Sequence, residues 1–367
     1  MQAGPSGTES KDLVTRKLRS TKLKYQDAYK FWKGKRVLIT GHTGFKGSWL
    51  IMLLKKFGAD VCGISLEPPT DPSLYNIAGI DSFVDSHICD IREAEKTLEI
   101  FNQYMPEIVF HLAAQPIVGY SYKHPSETYS VNVMGTLNVL EAIRNTPSIR
   151  VGVMITTDKC YQNKEWVWGY RETDTLGGHD PYSSSKAAAE ILINSYRNSY
   201  FSDNESQVCL VSVRAGNVIG GGDWGEDRLI PDIINSVLQN EPIVLRNENA
   251  IRPWQHVLDP LNAYMQLAQA GYFGQSEFSG PWNFGPDVKG AKNVSWIVES
   301  ILKLWGASKN LKVCENVPYK ETTYLKLDCT KAHELLNWSP VWGVDQIVER
   351  IVEWYKAYEV GQDMFEV

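Results

Sequence analysis

From Arg36 onward, short unbroken runs of apolar and β-branched residues alternate with longer segments whose apolar positions recur every three or four residues. The runs are "RVLIT", "DVCGIS", "FVDSHI", "EIVFHLA", "RVGVMITT" and "QVCLVSVR", and the intervening helical segments cover 45–57, 92–104, 125–146 and 181–199. A run with no polar alternation suits a strand covered on both faces, whereas the 3-4 spacing marks a helix burying one side. Together they predict an α/β fold, a Rossmann-type doubly wound parallel sheet that binds ligands at the carboxyl ends of its strands. After about residue 215 the rhythm breaks into Gly- and Pro-rich stretches such as "GNVIGGGDWGEDRLIP" and "NENAIRPWQHVLDP", then closes on an amphipathic segment at 343–358. The expected organisation is a polar leader over 1–33, the main sheet domain over 34–215, and a smaller, mainly substrate-binding lobe over 216–367, interleaved with the last sheet strands.

Composition narrows the function classes. A formal charge of -6 gives no basic surplus for nucleic acid or an anionic membrane, so an anionic ligand needs a local site. The apolar run "WLIMLL" stops at Lys55 and Lys56, far short of the roughly 20 residues that cross a bilayer. The leader has no apolar core of a secretory signal. Six cysteines lie far apart, without C-x-x-C and without histidine at ligand spacing, so no metal is expected and a reducing cytoplasm fits best.

The first candidate chemistry lies in "VLITGHTGFKGSWL". Gly41, Gly44 and Gly47, with Thr43, Phe45 and Lys46 between them, join a strand to a helix, where glycine lets backbone approach a pyrophosphate seated on the helix N-terminus. This predicts a dinucleotide site. The second strand ends on Ser65 where an acid normally meets the adenine ribose; no arginine is nearby to favour a 2′-phosphate, and NAD is the expected cofactor. Asp90 and Ile91 follow the third strand, and Leu112, Ala113 and Ala114 the fourth, where small residues let a cofactor lie close; Ala113 and Ala114 equally suit plain helix packing. His111 reads as a core histidine.

The second lies in "VGVMITTDKCYQN" and "DPYSSSKAAAE". Tyr182 and Lys186 stand at i and i+4 on one helix face, where an ammonium beside a phenol favours the phenolate and makes a base. Thr156, Thr157, Asp158 and Lys159 follow the fifth strand, so a hydroxyl, an acid and a lysine reach the same end of the sheet.

With these motifs the chain resembles the extended short-chain dehydrogenase/reductases that act on nucleotide sugars, over roughly residues 33–358. The resemblance implies hydride chemistry at sugar C4 carried by Tyr182, Lys186 and Thr157, with Asn132 supporting proton transfer. Epimerases of the family usually follow the hydroxyl residue with small side chains, whereas 4,6-dehydratases carry an acid there; Asp158 therefore implies water loss from C6. The next position, glutamate in many such dehydratases, is Lys159. "SLEPPTDPSLY", "GGGDW", "IRPWQHVLDPL" and "YLKLDCTKAHELLNWSPVW" strengthen the similarity to the branch that acts on CDP-glucose. That branch implies a cytoplasmic dimer forming CDP-4-dehydro-6-deoxy-D-glucose for dideoxyhexose and O-antigen synthesis.

On this basis NAD takes the C4 hydride and returns it to C6, Tyr182 takes the O4 proton, and Asp158 protonates the departing hydroxyl. Lys159 serves as the C5 base only when neutral; alternatively it pairs with Asp158 or a sugar hydroxyl. The resemblance places Asn217 at the diphosphate. Arg228, Arg252 and His256 are further candidates for the diphosphate or ribose, with a surface ion pair the alternative for Arg252. Gln115 and Tyr120 are expected at the hexose, and Trp254 either stacks on the base or belongs to the core. Other nucleotide-sugar dehydratases, acting on dTDP-glucose or GDP-mannose, a UDP-sugar 4-epimerase, and an idle NAD-binding protein remain as alternatives.

Overall fold

The computed structural model describes residues 25–202, 208–245, 247–274, 277–286, 291–308, 311–313 and 325–367. Most of the expected leader, residues 1–24, lies outside them, as does Cys314. The leader's end forms a helix, Tyr25–Trp32, whose Trp32 is buried in the main core.

Seven parallel strands build the central sheet: β1 (Arg36–Thr40), β2 (Asp60–Ser65), β3 (Asp85–Ile88), β4 (Ile108–His111), β5 (Val151–Ile155), β6 (Cys209–Arg214) and β7 (Gly280–Asn283). Their spatial order is β7-β6-β5-β4-β1-β2-β3. Successive residues of one strand enter opposite cores: Val37, Ile39 and Val61 pack on one face, Leu38, Cys62 and Ile64 on the other. Both faces are covered, which is why the strands read as unbroken apolar runs. The order reverses between β1 and β4, whose last residues Thr40 and His111 are register partners, and a crevice opens beyond them.

β7 was not legible as a strand because "GPWN" carries Gly280 and Pro281. At the sheet edge a proline costs no interior hydrogen bond, and Lys331 Nζ donates to the Pro281 carbonyl at 2.7 Å. The helix expected over 125–146 is three pieces, Pro125–Tyr129, a wide π-type turn Ser130–Gly135, and Thr136–Asn145.

Three helices matter for the site. α1 (Phe45–Lys56) follows β1, and α2 (Pro181–Tyr200) packs beside the turn after β5. α2 starts where it does because Asp180 accepts from Ser183 N at 2.9 Å and Pro181 occupies the first turn, which sets Tyr182 near the positive end of the helix. α3 (Val344–Glu359) is tied to the Gly-rich loop after β6: Tyr355 donates to the Asp223 carbonyl at 2.6 Å, and Trp354 fills the space a side chain at Gly221 would need.

Candidate active site

A cleft of about 940 Å³ lies beyond the carboxyl ends of β1, β4 and β5. Its floor is the glycine turn. Gly41 has φ 76°, and a Cβ there would stand 2.6 Å from Ala113 N, so the β1 turn packs directly on the β4 turn. Gly44 caps α1 without any side-chain hydrogen bond, which leaves the first N–H groups open to an anion. Thr43 Oγ1 lies 2.8 Å from Ser65 Oγ and donates to the Leu66 carbonyl, while Ala113 N donates to Thr40 Oγ1. Asp90 pairs with Arg92 at 2.5 Å, and that pairing holds its carboxyl below the usual range. Gly41, Thr43, Gly44, Phe45, Lys46, Gly47, Ser65, Asp90, Ile91, Leu112, Ala113 and Ala114 all line the cleft. A side-chain-free helix terminus beside a turn with no room for a Cβ fits a dinucleotide pyrophosphate.

β5 delivers a second corner of the cleft. Thr157 leaves the strand extended and caps a tight turn, Asp158–Cys160, by accepting from Lys159 N at 3.3 Å. Thr157 Oγ1 donates to Asp158 Oδ1 and is bonded to the Tyr182 phenol. Asp158 is 3% exposed; burial pushes its carboxyl up, against the pull of Lys159, Thr157 and Lys46. Burial also pushes the Tyr182 phenol up to about 12, opposed by the Thr157 bond and the Arg228 charge. Lys186 Nζ donates to the Ile155 carbonyl at 3.3 Å, so the ammonium is fixed to the end of β5. Burial and the neighbouring Lys46 bring Lys186 down to about 8, and burial with Arg228 brings Lys46 down to about 8.

Thr156, Thr157, Asp158, Lys159, Tyr182, Lys186, Asn217, Arg228 and Arg252 line the same cleft. Arg228 is held by Asp223 at 2.9 Å, and Asn217 has φ 50° in the loop after β6. Trp254 is largely buried, donates from Nε1 to the Lys292 carbonyl, and also lines the cleft.

Four expected residues lie elsewhere. Tyr120 is on the surface, donating to Glu127 at 2.6 Å and stacked on His124. The Gln115 side chain is spent on Thr128 and the Ile117 amide. Asn132 is buried between the Gln115 backbone and Ser185 Oγ, bracing α2 from behind. His256 packs edge-on against Trp342 and accepts from Leu258 N, burial drops it to about 3, and it does not line the cleft. His111 is also a core residue, bridging Thr40 and Thr136.

Sequence reasoning missed Gly216 and Glu190. A Cβ at Gly216 would overlap the Asp158 carboxyl, so this glycine makes the room in which the acid sits. Glu190 forms a buried ion pair with Arg214 at 2.8 Å behind the corner. Its signal was available, since it stands four residues after Lys186 on the same helix face.

Residues 38–351 match the family model described as GDP-mannose 4,6 dehydratase. The chain is 52% identical to the CDP-glucose 4,6-dehydratase of Salmonella typhimurium, over 91% of its length and 94% of the relative's. It is 27% identical to the dTDP-glucose 4,6-dehydratase of Neisseria gonorrhoeae, over 88% and 95%. Among solved structures it resembles an epimerase of Methanothermobacter thermautotrophicus (TM-score 0.78, 23% identity, covering 92% of this chain and 97% of that one). A dTDP-glucose 4,6-dehydratase of Bacillus anthracis in complex with NAD gives a TM-score of 0.73 at 22% identity, covering 90% and 100%.

Proposed function

The chain belongs to the GDP-mannose 4,6 dehydratase family of extended short-chain dehydrogenase/reductases, and from this we propose that it converts CDP-D-glucose into CDP-4-dehydro-6-deoxy-D-glucose and water. One observation carries the choice of dehydration: a buried acid, Asp158, joined through Thr157 to the phenol of Tyr182. A 4-epimerase needs no proton donor for a C6 hydroxyl. Identity to the Salmonella enzyme supports CDP-glucose over other nucleotide hexoses.

Gly41, Gly44, Gly47 and the open end of α1 would hold NAD, which would supply a reversible acceptor for the C4 hydride, so no net redox change is expected. Tyr182, assisted by Thr157, takes the O4 proton. The resulting ketone acidifies C5. Lys159, which lines the cleft next to Asp158, removes the C5 proton while Asp158, whose carboxyl burial pushes up, gives a proton to the C6 hydroxyl, and water leaves. Lys159 then returns its proton to C5. Lys186 fixes the strand end and adds positive charge, and Asn217, Arg228 and Arg252 meet the diphosphate and ribose.

The second proposal concerns assembly. Tyr129, Met134, Ile191 and Tyr200 are large apolar residues exposed on the helices of 125–145 and 181–200, which supports a homodimer closed through these helices. The five described cysteines form no disulfide and are buried, which supports a reducing, cytoplasmic setting. No described helix is long and apolar enough to cross a membrane.

The decisive assay offers CDP-glucose, dTDP-glucose, GDP-mannose and UDP-glucose with NAD and identifies products by mass and NMR. A 4-keto-6-deoxy product from CDP-glucose is expected. Preference for another nucleotide, or inversion at C4 without loss of water, would overturn the assignment.

A further inference from the structure

The buried pair of Glu190 and Arg214 grips the reacting corner from both sides. Glu190 is 2% exposed and receives Thr156 Oγ1 at 2.5 Å, Ser212 Oγ at 2.8 Å, and Arg214 at 3.0 Å and 2.8 Å. Arg214 then donates to the Tyr161 hydroxyl at 2.7 Å, and Tyr161 donates to Asn283 Oδ1. Thr156 immediately precedes Thr157 and Asp158; Tyr161 immediately follows the turn that carries them. Glu190 itself is on α2, one turn beyond Lys186 and two beyond Tyr182. A single carboxylate is thus bonded to the residue before the turn and, through one guanidinium, to the residue after it.

We propose that Glu190 is a positioning residue for the dehydratase reaction, which clamps the Thr157–Asp158 turn through Thr156 and Arg214 and sets the local charge under Lys186. A buried ion pair is no stability device by default, because desolvating both charges offsets much of their attraction. Its geometric and electrostatic output is therefore the better reason for its place here. Burial by itself would raise the Glu190 carboxyl, but Arg214 and the two hydroxyls hold it down and ionised, and that charge draws the Lys186 proton affinity upward against burial and Lys46. Glu190 does not line the cleft, so it acts only through these neighbours.

The inference rests on the roles assigned to Tyr182, Lys186 and Asp158. Its test is Glu190→Gln, which keeps shape and removes charge, assayed on whichever nucleotide hexose the wild-type enzyme turns over. Failure of CDP-glucose as substrate is then distinguishable from failure of the clamp. Expected are a kcat at least tenfold lower at pH 7, KM within twofold, and an acid limb of the kcat profile displaced to higher pH. The displacement follows because a Lys186 that loses its proton more readily gives Tyr182 less help in ionising. The other titratable groups facing these two stay in place: Lys46 and Cys160 around Lys186, and Asp158, Arg228 and Asp180 around Tyr182. A superimposable pH profile with kcat within twofold and only a lowered melting temperature would reduce Glu190 to a core ion pair and overturn the proposal. Should Glu190→Gln leave Arg214 too poorly satisfied to fold, Thr156→Val removes one grip and spares the pair. It is expected to lower kcat several-fold at unchanged KM, with Thr156→Ser restoring it; full activity in Thr156→Val overturns the clamp.

Discussion

Thr157 Oγ1 stands 3.1 Å from Asp158 Oδ1 and is bonded at the same time to the Tyr182 phenol. On the proposed mechanism, one hydroxyl therefore joins the group that gains a proton during C4 oxidation to the group that gives one up when water leaves. Removing it separates the two. Thr157→Val should lower kcat about 10²-fold, whereas Thr157→Ser, which keeps the hydroxyl, should stay within about tenfold of wild type. Loss of activity in Thr157→Ser with activity kept in Thr157→Val would mean that the methyl group, and not the hydroxyl, carries the effect.

Asp158→Asn tests the acid alone. The carboxamide still accepts from Thr157 but has no acidic proton, so C4 oxidation should persist while formation of the 6-deoxy product drops about 10²–10⁴-fold. Mass analysis of quenched reactions distinguishes a 4-keto sugar that retains its C6 oxygen from one that has lost it. A normal yield of 6-deoxy product would exclude Asp158 as the donor.

Lys159→Ala tests the C5 base. In heavy water the wild-type product should carry solvent deuterium at C5, and the variant should oxidise C4 yet neither exchange C5 nor dehydrate. Undiminished turnover would reduce Lys159 to a partner of Asp158.

Lys186 carries a cost that can be measured without substrate. Its pKa is brought down to about 8 from 10.5, so below pH 8 both folded and unfolded chains hold the proton and the folded state bears the full penalty. Between pH 8 and 10.5 the unfolded chain binds more protons, and this contribution to stability rises with pH. Lys186→Met should therefore abolish turnover yet stabilise the fold at pH 7 by on the order of 2 kcal/mol, raising the melting temperature by a few degrees. The advantage should fade as pH approaches 10.5; a variant less stable than wild type at pH 7 would contradict the burial penalty.

Arg228 and His256 make a contrasting pair. Arg228→Ala should raise KM for the sugar nucleotide about tenfold or more, because it removes a cation that lines the cleft. His256→Ala should leave KM within about twofold and lower stability by about 1–3 kcal/mol, through the lost contact with Trp342. A large KM effect at His256 would put it back at the ligand.

The sheet and its ligand end were readable because each depends on local signals. A strand buried on both faces must be apolar throughout, Gly41 must be glycine where φ is positive, and Asp180 with Pro181 announces the helix that carries Tyr182 and Lys186. Positions that depend on tertiary neighbours were not readable. Tyr120 and His256 have the right chemistry for a sugar and a phosphate, but Glu127 and Trp342, remote in the chain or on another turn, had already claimed them. Gly216 looked like one loop glycine among many, and only the position of the Asp158 carboxyl shows what it leaves room for.

β7 has a consequence for how the chain matures. The strand that completes the sheet beside β6 spans Gly280–Asn283, almost seventy residues downstream of Arg214. During synthesis, β6 must wait with an unpaired edge until that distant segment leaves the ribosome, and an unpaired apolar edge invites pairing with other chains. A fragment ending near residue 215 should therefore be sticky and poorly soluble. For expression or tagging, the ends of the chain are therefore better places to alter than a cut near residue 215.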